Sequence, residues 1–268
     1  MRLESSEAPG LLDVDAAYVL HLVHNGRLEK VRAELARVRP AKVVHLVHNP
    51  GSSLPPAADI VEAYRFIFRH AQEKGYDAVL VLEDDFTWGR VSADDGAAVT
   101  AFLKKNGHRS LVYHLGCLPA AMFPVGDRTY LTLGCGTHAS VYTRPCRDRV
   151  LRYDKKIRDW DMFLFFHFWR YAYGRPLCYQ LYGQTANSDQ WLNFCGLTPL
   201  LRLGSRVLML DKRAEPGYSI CYTGAKSVPL AGVAVMVAAV VWGPRLLRFV
   251  KKHVPYNPNP SPNPRVKS

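Results

Sequence analysis

The sequence predicts an α/β fold with a mixed, mainly parallel central sheet flanked by helices. Three stretches carry that prediction. Ala78-Val79-Leu80-Val81-Leu82 is an unbroken aliphatic run that ends in Glu83-Asp84-Asp85, the composition of a strand covered on both faces. Ahead of it Ile60, Ala63, Ile67 and Ala71 recur at helical spacing, and Gly75 closes the helix. Further upstream, apolar run, helix pattern and second apolar run follow one another within residues 17–47. That spacing is a βαβ unit, so its two strands should be parallel.

Taken in order, residues 1–15 are polar and acidic with Pro9-Gly10, and read as a flexible lead-in. Residues 16–224 read as the main domain. Ala17–Val23 is the first strand. Leu28, Val31, Leu35 and Val38 mark a helix that Pro40 ends, and Lys42–Val47 is the second strand. Asn49–Ala58 holds Gly51, Pro55 and Pro56, a surface loop. The helix Asp59–Lys74 and the acidic strand follow. Asp94–Lys105 reads as a helix and Ser110–Leu115 as a strand. Cys117–Arg128 reads as a loop on account of Pro119 and Pro124, and Thr129–Leu133 and His138–Tyr142 as two strands around Gly134-Cys135-Gly136. Pro145–Tyr153 starts a short helix. The aromatic run Asp159–Tyr173 reads as a core helix, Leu177–Tyr182 as a late strand, and residues 183–193 as a loop over the site. Residues 225–252 are read as an apolar helix and possible membrane anchor, and 253–268 as a disordered Pro- and Asn-rich tail.

Composition narrows the class. The chain has 268 residues and a formal net charge of +12, a balance that suits acidic partners. Beyond Gly243 it holds Arg245, Arg248, Lys251, Lys252, Arg265 and Lys267 and no acid, so half of the excess belongs to the tail. The remaining domain is only moderately basic, which fits an anionic sugar nucleotide as well as a nucleic acid. Six cysteines form no C-x-x-C pair, which argues against a zinc knuckle. They read mainly as reduced, buried thiols, with room for one disulfide if the domain is lumenal. The first fifteen residues lack the apolar core of a signal peptide.

The chemistry is read from the acidic strand end. Ligands of open α/β sheets bind beyond the carboxyl ends of the strands. Three adjacent carboxylates repel one another there, and a divalent cation offsets that repulsion directly. In extended chain Glu83 and Asp85 point to one side and Asp84 to the other, so two acids can share one metal and nucleotide site. A water-exposed acidic loop is the competing reading. His-Leu-Val-His-Asn occurs twice, at 21–25 and 45–49, both at strand ends. One reading sets Asn25 and Arg27 against the nucleotide; the other makes His and Asn ordinary loop formers.

The pattern Glu73-Lys74-Gly75-Tyr76-Asp77, aliphatic strand, Glu83-Asp84-Asp85-Phe86 resembles family 25 glycosyltransferases, the lipooligosaccharide and procollagen sugar transferases, including large-DNA-virus members. Tyr113-His114-Leu115-Gly116, Gly136–Tyr142, Trp160-Asp161, Pro176–Gln180, Thr185–Ser188 and Trp191 are similar to further family segments in the same order. Ala63-Tyr64 stands where many members carry Ser-His. The resemblance implies a GT-A-like nucleotide-binding fold and an inverting transfer of a hexose from a UDP-sugar to an acceptor hydroxyl on a glycan, lipid-linked saccharide or protein. It implies Asp85 and Glu83 as ligands of a divalent metal, Mn2+ or Mg2+, and Asp161 as catalytic base. Arg27, Glu83, Asp84, Gln180, Asn187 and Ser188 would bind the donor. Asp161 competes with a helix N-cap reading. A metal-dependent nuclease and a non-catalytic membrane-attached protein that keeps the fold are the alternatives. Nuclease grammar adds a Lys beyond the second acid cluster, which Phe86-Thr87-Trp88-Gly89 does not supply, so nucleic acid is not an expected partner. Val228–Val250 is expected to attach the protein to a membrane, because an uncharged apolar run to Gly243 is followed by Arg245, Arg248, Lys251 and Lys252. The rest is expected in the cytoplasm, with a viral setting or a host endomembrane as its place.

Overall fold

The computed structural model describes residues 1–180, 204, 206–210 and 213–232. Asn187, Ser188 and the loop expected over 183–193 lie outside the described residues. In chain order the elements are β1 (Arg2–Glu7), β2 (Ala16–Leu22), a 3-10 turn (Val23–Asn25), α1 (Leu28–Arg37), β3 (Val43–Asn49), α2 (Pro56–Glu73), β4 (Ala78–Glu83), β5 (Phe86–Trp88), α3 (Ala93–Asn106), β6 (Leu111–Gly126), β7 (Thr129–Thr143), α4 (Arg144–Leu151), α5 (Trp160–His167), β8 (Trp169–Tyr173) and β9 (Cys178–Gln180). The chain divides into two units, Met1–Ser227 and Val228–Ser268.

Seven strands form one sheet in the order β1-β3-β2-β4-β7-β6-β8, and β5 pairs with β9 separately. β2, β3, β4, β6 and β8 run one way, β1 and β7 the other. The sheet is therefore mixed and mainly parallel, as the sequence predicts. Successive residues of the central strands serve opposite faces. Val19, Leu80 and Leu82 pack with Val31 of α1 and with Val99 and Leu103 of α3. Tyr18, Val79 and Val81 pack with Tyr64, Ile67 and Phe68 of α2, Val150 of α4 and Trp160 of α5. An aliphatic run without polar alternation is what such double coverage requires.

The connections place the site. From β2 the chain crosses through α1 to β3 on one side, then returns through α2 to β4 on the other side of β2. The direction of winding reverses between β2 and β4. Such a switch point opens a crevice beyond the carboxyl ends of its two strands, which here are the turn after Leu22 and the residues after Glu83.

Three sequence expectations need correction. Arg2–Glu7 is not a loose lead-in but an edge strand, antiparallel to β3 from Arg2↔His48 to Glu7↔Val43. Its Leu-Glu-Ser-Ser core is too polar to signal a strand, and ladder hydrogen bonds rather than burial hold it. Cys117–Arg128 is not a loop. It is the second arm of β6, paired with an equally long β7. Pro119 and Pro124 are tolerated because the pairing shifts register between Pro119 and Ala121 and between Pro124 and Gly126, where regular ladder bonds are interrupted. The aromatic helix ends at His167, and Trp-Arg-Tyr-Ala-Tyr follows as β8, an alternation of period two. β8 lies between the first halves of β6 and β7. The helical residues 217–232 run past residue 224. There Tyr218, Tyr222 and Ala225, at helical spacing, are buried against Cys117, Met122 and Ala172.

Of the expected anchor Val228–Val250, only residues 228–232 are described, and they are helical. Among the described residues no helix is long and apolar enough to cross a membrane. Cys117, Cys135, Cys146, Cys178 and Cys221 are free thiols; Cys195 lies outside the described residues.

Candidate active site

The turn after β2 is organised by one carboxylate. Asp84 Oδ2 accepts the Leu22 N–H at 2.8 Å and the Asn25 side-chain amide, and lies 3.3 Å from His21 Nδ1. Asp84 Oδ1 accepts from Arg27 Nη1 at 3.0 Å. Asn25 Oδ1 accepts the Arg27 N–H at 3.0 Å, and Gly26 takes φ 71°, a left-handed conformation that glycine adopts without strain. The sequence therefore sends the chain sharply out of β2 and delivers Arg27 above the strand ends. Asp84 thus holds this turn and anchors Arg27.

Asp85 sits on the other side of Arg27, whose Nη1 is 3.5 Å from Asp85 Oδ2. Gln180, on β9, donates its side-chain amide to the same oxygen at 2.8 Å. β5 and β9 pair through Phe86↔Gln180, which sets Gln180 next in space to the acidic segment although 95 residues separate the two side chains. Asp85 is buried, and its Oδ1 has no hydrogen-bond partner among the described residues. Burial raises the Asp85 carboxyl above its ordinary range, with the Gln180 hydrogen bond and Arg27 acting the other way.

Glu83 ends β4 and faces α2 and β7. Its Oε1 accepts from Thr137 Oγ1 at 3.0 Å and from the Tyr64 hydroxyl at 3.2 Å. Burial, and then the charges of Asp85 and Asp161, push it up to about 8. Thr137 reaches it because the β6–β7 ladder breaks between Gly116↔Ala139 and Leu118↔Cys135. Two steps on β6 answer four on β7, so residues 136–138 leave the ladder and turn toward the strand ends, a recurring use of bulges near active sites. Gly136 has φ 94°. Its N–H donates to Asp161 Oδ1 at 3.3 Å.

Asp159 and Asp161 divide two roles that the sequence left open for one residue. Asp159 is the N-cap of α5, and its side chain accepts the Met162 N–H at 2.8 Å. Asp161 lies in the first turn of that helix, where the positive end of the dipole favours a carboxylate.

The crevice thus gathers Glu83, Asp84 and Asp85 with Arg27, Gln180, Thr137 and Asp161. Tyr64 and Thr137 were not singled out from the sequence. Thr137 lies within the recognised Gly136–Tyr142 segment, and Tyr64 stands where the family pattern has another polar residue, so position rather than residue type was the available signal.

The residues fit a divalent cation of a limited kind. A hard cation takes carboxylate oxygens and often keeps water and substrate phosphates in its shell. Asp85 Oδ1 offers one oxygen without a partner, with Glu83 beside it. Among the described residues no three His, Cys, Asp or Glu side chains gather to hold a metal. The site suits a cation shared between one or two carboxylates and a ligand, not an all-protein cage.

No protein-family model matches the chain, and no curated protein matches it. Solved structures do. A glycosyltransferase involved in the glycosylation of the major capsid of PBCV-1 is 10% identical over 57% of this chain and 74% of that one, with TM-score 0.36. A197 from STIV is 13% identical over 59% and 80%, with TM-score 0.35. The mannosyltransferase PcManGT from Pyrobaculum calidifontis, solved with GDP-Man and Mn2+, is 12% identical over 95% and 85%, with TM-score 0.42. The fold is α/β, a mixed, mainly parallel sheet flanked by helices. At these scores no residue's role is transferred, and the fold class stands on strand order, strand direction and the switch point. The resemblance to family 25 rests on the sequence motifs.

Proposed function

We propose that this chain is a metal-dependent glycosyltransferase of the family 25 kind, which moves a hexose from a UDP-sugar to an acceptor hydroxyl with inversion. The observation that carries the reading is the buried Asp85 oxygen that has no hydrogen-bond partner among the described residues, set beside Glu83 at the switch-point crevice. Asp85, with Glu83, would hold Mn2+ or Mg2+. When bound, the metal neutralises the charge that builds on the departing diphosphate. Arg27 is held by Asp84 with its guanidinium toward Asp85, which fixes a cation at the mouth of the crevice. Gln180 occupies one Asp85 oxygen and so orients the other. Asp161, anchored on the Gly136 N–H, takes the proton of the attacking acceptor hydroxyl. A single base suffices for inversion. Asn187 and Ser188 complete the donor site in this reading, and the acceptor is a glycan, a lipid-linked saccharide or a protein.

The test is a panel of sugar nucleotides, with diphosphate release measured with and without Mn2+. Release that depends on the metal and on one uridine-diphosphate sugar is expected. Asp161→Asn should lower turnover by roughly 10²-fold or more without changing the thermal midpoint, because Asp159 caps the helix. No release from any donor, or full turnover in Asp161→Asn, contradicts the reading. We also read residues 228–250 as a membrane attachment that keeps the catalytic unit on the cytoplasmic side, from its uncharged run and basic flank. Flotation of the full chain with anionic vesicles tests this; a chain that stays at the bottom of the gradient rules it out.

A further inference from the structure

Gln180 reaches Asp85 from β9, which pairs with β5 outside the seven-stranded sheet. Its support comes from elsewhere in the chain. The Tyr218 hydroxyl accepts the Gln180 N–H at 3.1 Å and donates to the Gln180 carbonyl at 3.1 Å. One side chain thus takes both backbone groups of Gln180, as a neighbouring strand would. Tyr218 is fully buried. Its ring packs edge-on against Tyr179, centroids 5.1 Å apart, and against the His138 ring at 6.3 Å. Glu215, one turn upstream, accepts from the Tyr179 hydroxyl at 2.6 Å. Glu215 and Tyr218 therefore hold both Tyr179 and Gln180 of β9.

We propose that Tyr218 is a positioning residue for the metal site, acting through Gln180 on Asp85. The helix that carries Tyr218 then sets the geometry of Asp85 through Gln180. This rests on the metal reading of the crevice. Removal of the hydroxyl takes from the Gln180 N–H and carbonyl the partner that both have in Tyr218. The Gln180 side chain then loses its fixed origin, and Asp85 loses the donor that holds Oδ2. Tyr222 supplies an internal control. It lies on the same helix, is as deeply buried, and its hydroxyl contacts Cys117 Sγ at 3.6 Å rather than Gln180.

The experiment measures Mn2+ binding, alone and with uridine diphosphate, by the paramagnetic resonance of free Mn2+. Wild type, Tyr218→Phe, Gln180→Ala, the double variant and Tyr222→Phe are compared. Tyr218→Phe and Gln180→Ala should each weaken Mn2+ binding on the order of tenfold, the scale of a lost buried hydrogen bond. The double variant should be no worse than Gln180→Ala alone. Tyr222→Phe should lower the thermal midpoint and leave Mn2+ affinity unchanged. Wild-type affinity in Tyr218→Phe, or equal weakening in Tyr222→Phe, overturns the proposal while the metal reading stands. A wild-type chain that binds no Mn2+ overturns both. Should Tyr218→Phe not fold, linkage gives a measurement on the wild type. If the Tyr218 contact favours metal, metal must favour the contact, so Mn2+ should slow amide exchange across residues 217–222. Unchanged exchange there overturns the proposal.

Discussion

The pentapeptide His-Leu-Val-His-Asn ends two neighbouring strands, and the two copies share a turn but not a conformation. In each, the asparagine Oδ1 accepts the N–H two residues on, at 3.0 Å for Arg27 and 3.1 Å for Gly51. In each, its amide donates to a carboxylate, Asp84 in one and Asp59 in the other. In each, a glycine follows with positive φ, 71° at Gly26 and 78° at Gly51. Yet residues 45–49 are all strand, while residues 23–25 form a 3-10 turn. The neighbours decide. The second copy lies between β1 and β2, and both pair along it. The first copy loses β4 after Leu20↔Glu83, and the Leu22 N–H takes the Asp84 carboxylate instead of a strand. The acid reached by the asparagine then sets the use. Asp59 belongs to the first turn of α2, and that exit leads into a loop. Asp84 borders Asp85, and that exit delivers Arg27 to the crevice.

The comparison predicts unequal costs for equivalent changes. Asp84→Ala leaves His21, Asn25 and Arg27 around a vacated buried site and should destabilise the fold by ~3–5 kcal/mol, the range for breaking a buried charged pair. Asp59→Ala removes one exit hydrogen bond and should cost about 1 kcal/mol. Urea unfolding midpoints measure both, and equal losses would break the distinction between the two exits. Next, Asp85→Asn keeps an oxygen for the Gln180 amide but removes the charge. Turnover should fall on the order of 10²-fold with the unfolding midpoint almost unchanged. Wild-type turnover, or full activity in chelator, would remove the metal from the first exit.

The smallest effect concerns the second copy. His45 is buried between Ser5, at 2.7 Å, and the Tyr76 hydroxyl, at 3.4 Å, with the Tyr18 and His70 rings against it. Burial, then His70 and Lys74, push it down from 6.5 to about 4. His70 is itself lowered by burial and by Lys74, with Glu73 opposing. A histidine whose folded value lies below its unfolded value stabilises the fold while neutral. That contribution is complete above pH 6.5 and is lost as pH falls from there toward 4. Thermal midpoints at pH 7 and pH 5 should therefore differ more in wild type than in His45→Gln. The same pH response in both would mean that His45 does not carry it.

Much of the fold was legible because it was written in long apolar runs. β4 and α2 have one composition per face, and nothing else fits them. The site was legible as a place, since a buried strand that ends in three acids points at a crevice. The division of labour among the acids was not. Alternation assigns Glu83 and Asp85 to one side only while the chain stays extended, and the chain turns at Asp84. Elements missed or misread were those held by partners distant in sequence. β1 depends on β3, the second arm of β6 depends on β7, and β8 is strand because two strands flank it, although its aromatic density resembles the helix before it. Tyr218 carries no local mark at all; its importance lies in meeting Gln180, 38 residues away.

β1 also guards the rim of the sheet. Without it β3 would be the margin, and Val43-Val44-His45-Leu46-Val47 would offer a row of open backbone donors and acceptors to any extended chain in solution. β1 occupies that row, and Arg39 fastens it by donating to the Ser6 carbonyl at 2.6 Å and to the Ala8 carbonyl at 3.2 Å. The new margin is six residues long and exposes Arg2, Glu4 and Glu7. Charge and shortness make it a poor template for self-association, so this polar strand shields the apolar β3.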